Sequence, residues 1–187
     1  MKITKKRLDG MYEITAPENF VDKRGFMRRV FDDRFFKEQG IVLSWKQQSL
    51  SYTATKNVIR GLYVQLSPFT EAKLVTLISG EMFWVSVDLR KNSPTFGKWD
   101  SAVLSRERVS ALFVQRGFAH GCLSLTDDCY VLLNADNYHS DEHGRGIAWD
   151  DKDLGIDWPL NGSIPMISDR HKAYQCFHDF VDKFEGL

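Results

Sequence analysis

Between residues 42 and 133 the chain alternates short apolar runs with turn residues, and the runs at 42–50, 58–65, 73–79, 81–89, 99–104, 111–114 and 129–133 read as strands. Regularly spaced short strands without helical periodicity predict an all-β fold, an antiparallel jelly-roll-type barrel whose interior is open to a ligand. Ser79-Gly80-Glu81 reads as a tight hairpin, and residues 92–97 as a longer loop. Within 58–65 and 73–79, Arg60, Tyr63, Gln65 and Lys73 alternate with aliphatic residues. As a strand pair these segments bury one row and aim the polar row into a shared cavity.

The flanking segments carry other patterns. Residues 11–14 read as an edge strand entering a turn at 17–19, and Gly25 marks a turn before strand-like residues 26–31. Residues 32–39 predict a short helix stopped by Gly40. A polar and aromatic stretch at 137–146, followed by apolar-Trp patterns at 147–150 and 156–159, predicts a lid or rim on the barrel. In the tail at 169–184, Tyr174, Phe177, Val181 and Phe184 recur at helical intervals and predict a C-terminal amphipathic helix. No repeat or second domain interrupts residues 1–187, so one domain is expected.

Charge narrows the partners. Lys plus Arg and Asp plus Glu both number 25, so no overall field draws nucleic acid or an acidic membrane, and any anion site is local. Three cysteines without CxxC spacing, and a charged start that leads into no long apolar run, point to free thiols in the cytoplasm without export or membrane insertion.

Several blocks resemble a known family in order along the chain: Asp22-Lys23-Arg24-Gly25-Phe26, Arg60-Gly61-Leu62, Lys73-Leu74-Val75, Val87-Asp88-Leu89-Arg90, Ser93-Pro94-Thr95-Phe96-Gly97-Lys98-Trp99, Gly117-Phe118-Ala119-His120-Gly121 and Ile156-Asp157-Trp158-Pro159. They are similar to the dTDP-4-dehydrorhamnose 3,5-epimerase family. The resemblance implies a cupin-like barrel, a homodimer that exchanges an N-terminal segment, and no metal or other cofactor. The substrate it implies is a nucleoside-diphosphate 4-keto-6-deoxy sugar used in deoxysugar and surface-glycan synthesis. The ketone acidifies the neighbouring carbons, so C3, C5 or both are inverted through an enolate by a base, an opposed acid and an oxyanion stabiliser.

Carried over position by position, the resemblance puts Arg24 and Gln47 on the nucleotide, Arg60 and Lys73 on the diphosphate-sugar and the developing enolate, and His120 in the sugar pocket. Phe26, Trp45, Tyr138 and Trp149 are aromatics able to stack on a nucleobase or to serve the core. Three positions depart from the family. Tyr63 stands where the proton-abstracting histidine follows Arg-Gly-Leu, and His171 where that histidine's carboxylate partner falls. The opposing tyrosine position is occupied by His139 in an ungapped match, or by Tyr138 with a one-residue gap.

One reading exchanges the roles, with His139 as base, Tyr63 as acid on the opposite face, and His171 orienting Tyr63. Another is a nucleotide-sugar-binding protein without turnover, and keto-sugar isomerisation is a neighbour by the same enolate chemistry. From the residues alone, Arg60 and Lys73 are pocket cations or surface charges paired with Glu71 or Glu81, and His120 is a ligand-facing or a satisfied core histidine. Asp88 either orients His120 or caps a strand end. The His139 and His143 pair sits in a loop-like stretch, so no metal is expected.

Overall fold

In a computed structural model, which describes residues 1–16, 20–105 and 111–187, the alternating segments form two antiparallel sheets packed face to face. In chain order the strands are β1 (Lys2–Lys5), β2 (Met11–Thr15), β3 (Phe20–Asp22), β4 (Gly25–Met27), β5 (Gln47–Thr53), β6 (Ile59–Gln65) and β7 (Lys73–Ser79). They continue as β8 (Glu81–Asp88), β9 (Trp99–Ser105), β10 (Ala111–Val114), β11 (Phe118–Ser124), β12 (Cys129–Ala135) and β13 (Gly144–Gly146). One sheet runs β1-β2-β10-β7-β12-β5 and the other β13-β6-β11-β8-β9, while β3 and β4 form a separate hairpin. The expected jelly-roll barrel is therefore present.

Strand alternation sorts the apolar residues into three layers. Met11, Val75, Leu77, Leu112 and Val114 of the first sheet meet Met82, Trp84, Ala102, Leu104 and Cys122 of the second between the sheets. The outer face of the first sheet, with Ile14, Leu74, Ala111 and Phe113, is covered by Phe36 of helix α1 (Asp33–Glu38). Asp32 caps that helix by accepting from the Arg34 and Phe35 amides, and Gly40 follows it at φ +76°. Leu62, Val64, Val85 and Ala119 face outward on the second sheet and are covered by Ile147, Leu154, Trp158 and Phe180.

Several expectations need correction. The strand at 11–14 is interior, because β1 pairs outside it, and the turn expected at 17–19 lies outside the described residues. Ser79-Gly80-Glu81 is a corner, since β7 and β8 belong to different sheets. For the same reason β6 and β7 are facing walls and do not pair. The strand expected from 42 starts only at Gln47, because Leu43 and Trp45 pack beside α1. The strand β11 was not anticipated. The tail helix is broken into α2 (Asp169–Lys172) and α3 (Phe177–Phe184), because Gln175 leaves the helix to pair with Ile147 and its carbonyl accepts from Ala148. Residues 147–160 form part of the outer layer, and only 137–143 serve as rim.

Candidate active site

A cavity of about 140 Å³ opens between the sheets. The second sheet contributes Arg60, Tyr63, Met82, Trp84, His120 and Cys122; the first contributes Ser51, Lys73, Val131 and Leu133. Simple alternation from Arg60 would aim Leu62 inward. Instead β6 bulges against β11, with Tyr63 opposite His120 and Arg60 opposite Cys122, so Tyr63 and Gln65 share the inner face. Gly61 makes the bulge possible: its φ is +97°, and a Cβ there would lie 2.3 Å from the His120 carbonyl oxygen.

Tyr63 is half-buried, and its hydroxyl lies 3.4 Å from His139 Nδ1 and 3.3 Å from Gln65 Oε1. Burial, then the Glu71 carboxylate, push its phenol up to about 12. The space is reserved by β13, where a Cβ on Gly144 would come 2.6 Å from the Tyr63 hydroxyl. His139 Nε2 lies 3.2 Å from Asp141 Oδ1, and the His139 amide donates to Gln47 Oε1. The expectation that Tyr63 and His139 flank a sugar from opposite faces is not met, because the two touch and stand on one side.

Facing them, Lys73 Nζ pairs with Glu71 at 2.6 Å, both largely buried, so the cation is at once a pocket residue and half of an ion pair. Arg60 is fixed by its Nε on Thr53 Oγ1 at 3.1 Å and its Nη2 on the Tyr52 carbonyl at 3.0 Å. His120 is buried, with Nδ1 3.5 Å from Ser86 Oγ and Nε2 without a partner. Burial, then the charge of Lys73, hold its pKa well below the usual histidine value, so it is neutral. Asp88 does not orient it; that carboxylate is occupied by Arg90, Ser93 and Thr95.

The remaining expected residues divide. His171 Nδ1 accepts from the Gly61 amide at 3.3 Å, supporting the bulge and not the Tyr63 hydroxyl. Burial, then Arg170 and Arg60, lower its pKa. Tyr138 is 56% exposed and does not line the cavity; its carbonyl accepts from Gln65 Nε2, so the histidine is the member of that pair that reaches Tyr63. Arg24 and Phe26 stand on the β3–β4 hairpin, where Arg24 grips Asp22, and this chain does not bring them to the cavity. Trp45 and Trp149 pack in the two outer layers. His143 Nδ1 meets Ser140 Oγ at 2.9 Å.

Two residues named in the sequence take more specific places than alternation assigned them. Gln65 clasps the rim: its Nε2 donates to the Phe69 and Tyr138 carbonyls, and its Oε1 accepts from the Ser140 amide. Glu71, the partner of Lys73, carried a signal in its two-residue spacing, which puts both on one side of an extended segment.

A two-sheet antiparallel barrel holding a small cavity with lysine, arginine and neutral imidazole in its walls is a jelly-roll barrel with the lining of a small-molecule site. The model of the dTDP-4-dehydrorhamnose 3,5-epimerase family matches residues 5–179, and the chain belongs to that family. The dTDP-4-dehydrorhamnose 3,5-epimerase of Shigella flexneri is 41% identical over 167 residues, covering 89% of this chain and 91% of that protein. The dTDP-6-deoxy-D-glucose-3,5-epimerase of Legionella pneumophila, solved with dTDP-4-keto-L-rhamnose, superposes with a TM-score of 0.88 at 34% identity over 95% of this chain and 93% of that one. A 3'-monoepimerase from Streptomyces bikiniensis, solved with dTDP-quinovose, gives a TM-score of 0.85 at 25% identity over 96% of this chain and 89% of that one.

Proposed function

We propose that this protein is an isomerase that epimerises a nucleoside-diphosphate 4-keto-6-deoxy sugar at a carbon beside the ketone in deoxysugar synthesis, by removing one proton and returning another to the opposite face. The observation that carries this reading is the pair of facing walls, with Tyr63, His139 and His120 on one side and Lys73 with Glu71 on the other. A cavity of about 140 Å³ is smaller than the roughly 300–1,000 Å³ of pockets that hold whole drug-sized ligands, so the sugar enters and the nucleotide rests outside, near Arg60 and Gln47.

Tyr63, raised to about 12, keeps its proton at neutral pH and suits delivery better than removal. His139, in contact with its hydroxyl and backed by Asp141, resupplies that proton, so the pair is one station on one face. Lys73 and Glu71 are the opposing station: Lys73 passes a proton to Glu71 and, as the free amine, takes the proton from the carbon, and the ammonium so formed stabilises charge developing on the keto oxygen. The relatives act on dTDP sugars, which makes dTDP the first nucleotide to try; they include a monoepimerase as well as 3,5-epimerases, so inversion of one centre and of two are both within the family.

The test is incubation with a dTDP-4-keto-6-deoxy sugar in deuterium oxide, read by NMR and mass spectrometry. Deuterium is expected at C3, C5 or both, and Tyr63→Phe is expected to slow its entry about 10²- to 10⁴-fold with binding retained. Tight binding with no exchange at either carbon would replace this reading by a binding protein without turnover.

The reading extends to a homodimer in the cytoplasm. Phe20, Val21, Phe26 and Met27 are exposed on the hairpin, and Leu50, Tyr52, Ile78 and Tyr130 are exposed on β5, β7 and β12, with β5 an edge strand of its sheet among the described residues. A second copy covering these faces carries Arg24 and Phe26 to a neighbouring cavity. Light scattering over a concentration series checks the mass.

A further inference from the structure

The cavity contains a polar group that no step above uses. Trp84 is 6% exposed, lines the cavity, and its indole Nε1 is buried without a hydrogen-bond partner. Among the described residues only four buried side-chain polar atoms lack a partner; two of them, Trp84 Nε1 and His120 Nε2, belong to walls of this one cavity. A buried polar nitrogen left unpaired is destabilising, so two in one place mark a site completed by something else.

The register fixes their relation. Ser86 lies opposite His120 and Trp84 opposite Cys122 on β8 and β11, which makes Trp84 the diagonal neighbour of His120 on the same inner face. Cys122 in turn lies opposite Arg60 on β6. Met82, Cys122, Val131 and Leu133 are apolar walls of the same cavity, whose polar walls are Ser51, Arg60, Tyr63, Lys73 and His120, and the indole bonds to none of them. Indole N–H is a donor only, so its partner must present an acceptor oxygen. With the nucleotide outside so small a cavity, that oxygen belongs to the sugar.

We infer that Trp84 is a substrate-contacting, specificity-determining residue whose indole N–H donates to an acceptor oxygen of the keto sugar, beside His120. This rests on the nucleotide-sugar reading of the preceding section. It predicts discrimination against sugars lacking that oxygen, because an apolar group set against the indole leaves the N–H unpaired.

Nitrogen-15 NMR of the unaltered protein tests it. The Trp84 indole proton, assigned through its proximity to Cys122, is expected to shift when a dTDP-4-keto-6-deoxy sugar is added and to stay in place with dTDP alone. Trp84→Phe keeps a ring but removes the donor. It is expected to weaken nucleotide-sugar binding about tenfold while leaving dTDP affinity unchanged, a split that general damage to the fold does not produce. If the sugar nucleotide binds and the indole resonance does not move, the role of Trp84 is refuted and the epimerase reading stands. If no sugar nucleotide binds, both fall. The NMR arm decides even where the variant fails to fold.

Discussion

Two polar sites on neighbouring stretches of β8 and β11 are buried to similar depth and finished differently. Around Asp88, fully buried, every acceptor is occupied: the Arg90 amide and guanidinium at 2.7–3.0 Å, Ser93 Oγ at 2.5 Å and Thr95 Oγ1 at 2.6 Å. Two residues back on β8 the pattern reverses, for Ser86 and Trp84 lie beside His120 and Cys122 on the neighbouring strand, in the wall of an open cavity, and two ring nitrogens stay unpaired. A closed network rigidifies the corner where residues 88–98 leave the sheet; an open one leaves hydrogen-bonding capacity for a ligand. Both motifs are polar, and only their completeness tells structure from chemistry.

The largest effect comes from breaking the closed site. Asp88→Ala takes the carboxylate partner from the Arg90 guanidinium, which is stacked 4.6 Å from the Phe118 ring centroid and keeps the Asp9 carbonyl, and takes the shared acceptor from two hydroxyls. A loss of about 3–5 kcal/mol is expected by denaturant unfolding, with the folded fraction retaining its turnover per molecule. Breaking the open site gives the opposite signature. His120→Leu removes a nitrogen that has no partner, so stability is expected to hold or to rise by about 1 kcal/mol, while turnover falls about 10²-fold or more. Equal damage to stability from both substitutions would erase the distinction.

Much of the fold was legible. β7 and β10 fall on their expected bounds, because each carries mainly apolar residues to both of its faces, as a strand between two packed layers requires. What escaped depends on partners remote in sequence. Gly80 looks the same in a hairpin and in a corner between sheets, and Gln175 gives no local sign that it will pair with Ile147. β11 was hidden because His120 and Gly121 break the apolar pattern, and the reason they do so is the cavity itself. At the site, the polar residues Arg60, Tyr63 and Lys73 stood out among aliphatic neighbours, and the family pattern added His120. The contact between Tyr63 and His139 is set by a bulge at Gly61 and by the Gln65 clasp on the rim, and neither is written in alternation alone.

The smallest effect, and the one that separates the two sites most cleanly, is the response to acid. His120 is neutral when folded because burial and Lys73 lower its pKa, whereas in the unfolded chain it titrates near the usual value of about 6.5. Below that pH the unfolded state binds a proton that the folded state refuses, so stability falls as pH falls, by up to about 1.4 kcal/mol per pH unit for this single group. His171, also lowered, adds in the same direction. Asp88 behaves otherwise. Burial opposes its ionisation, but the hydrogen bonds from Arg90, Ser93 and Thr95 outweigh that and hold its carboxyl below the ordinary value. Its contribution is complete above the unfolded carboxylate range, roughly pH 4, and is lost only as pH drops through the lower folded value. Urea unfolding from pH 7 to pH 3 should therefore decline in two windows. His120→Leu is expected to flatten the slope between about pH 6.5 and 4.5 and leave the acid limb intact, and Asp88→Asn to do the reverse. An unchanged upper slope in His120→Leu would mean that the histidine is protonated in the folded protein, and with it that the cavity is wetter and more polar than its unpaired nitrogens imply.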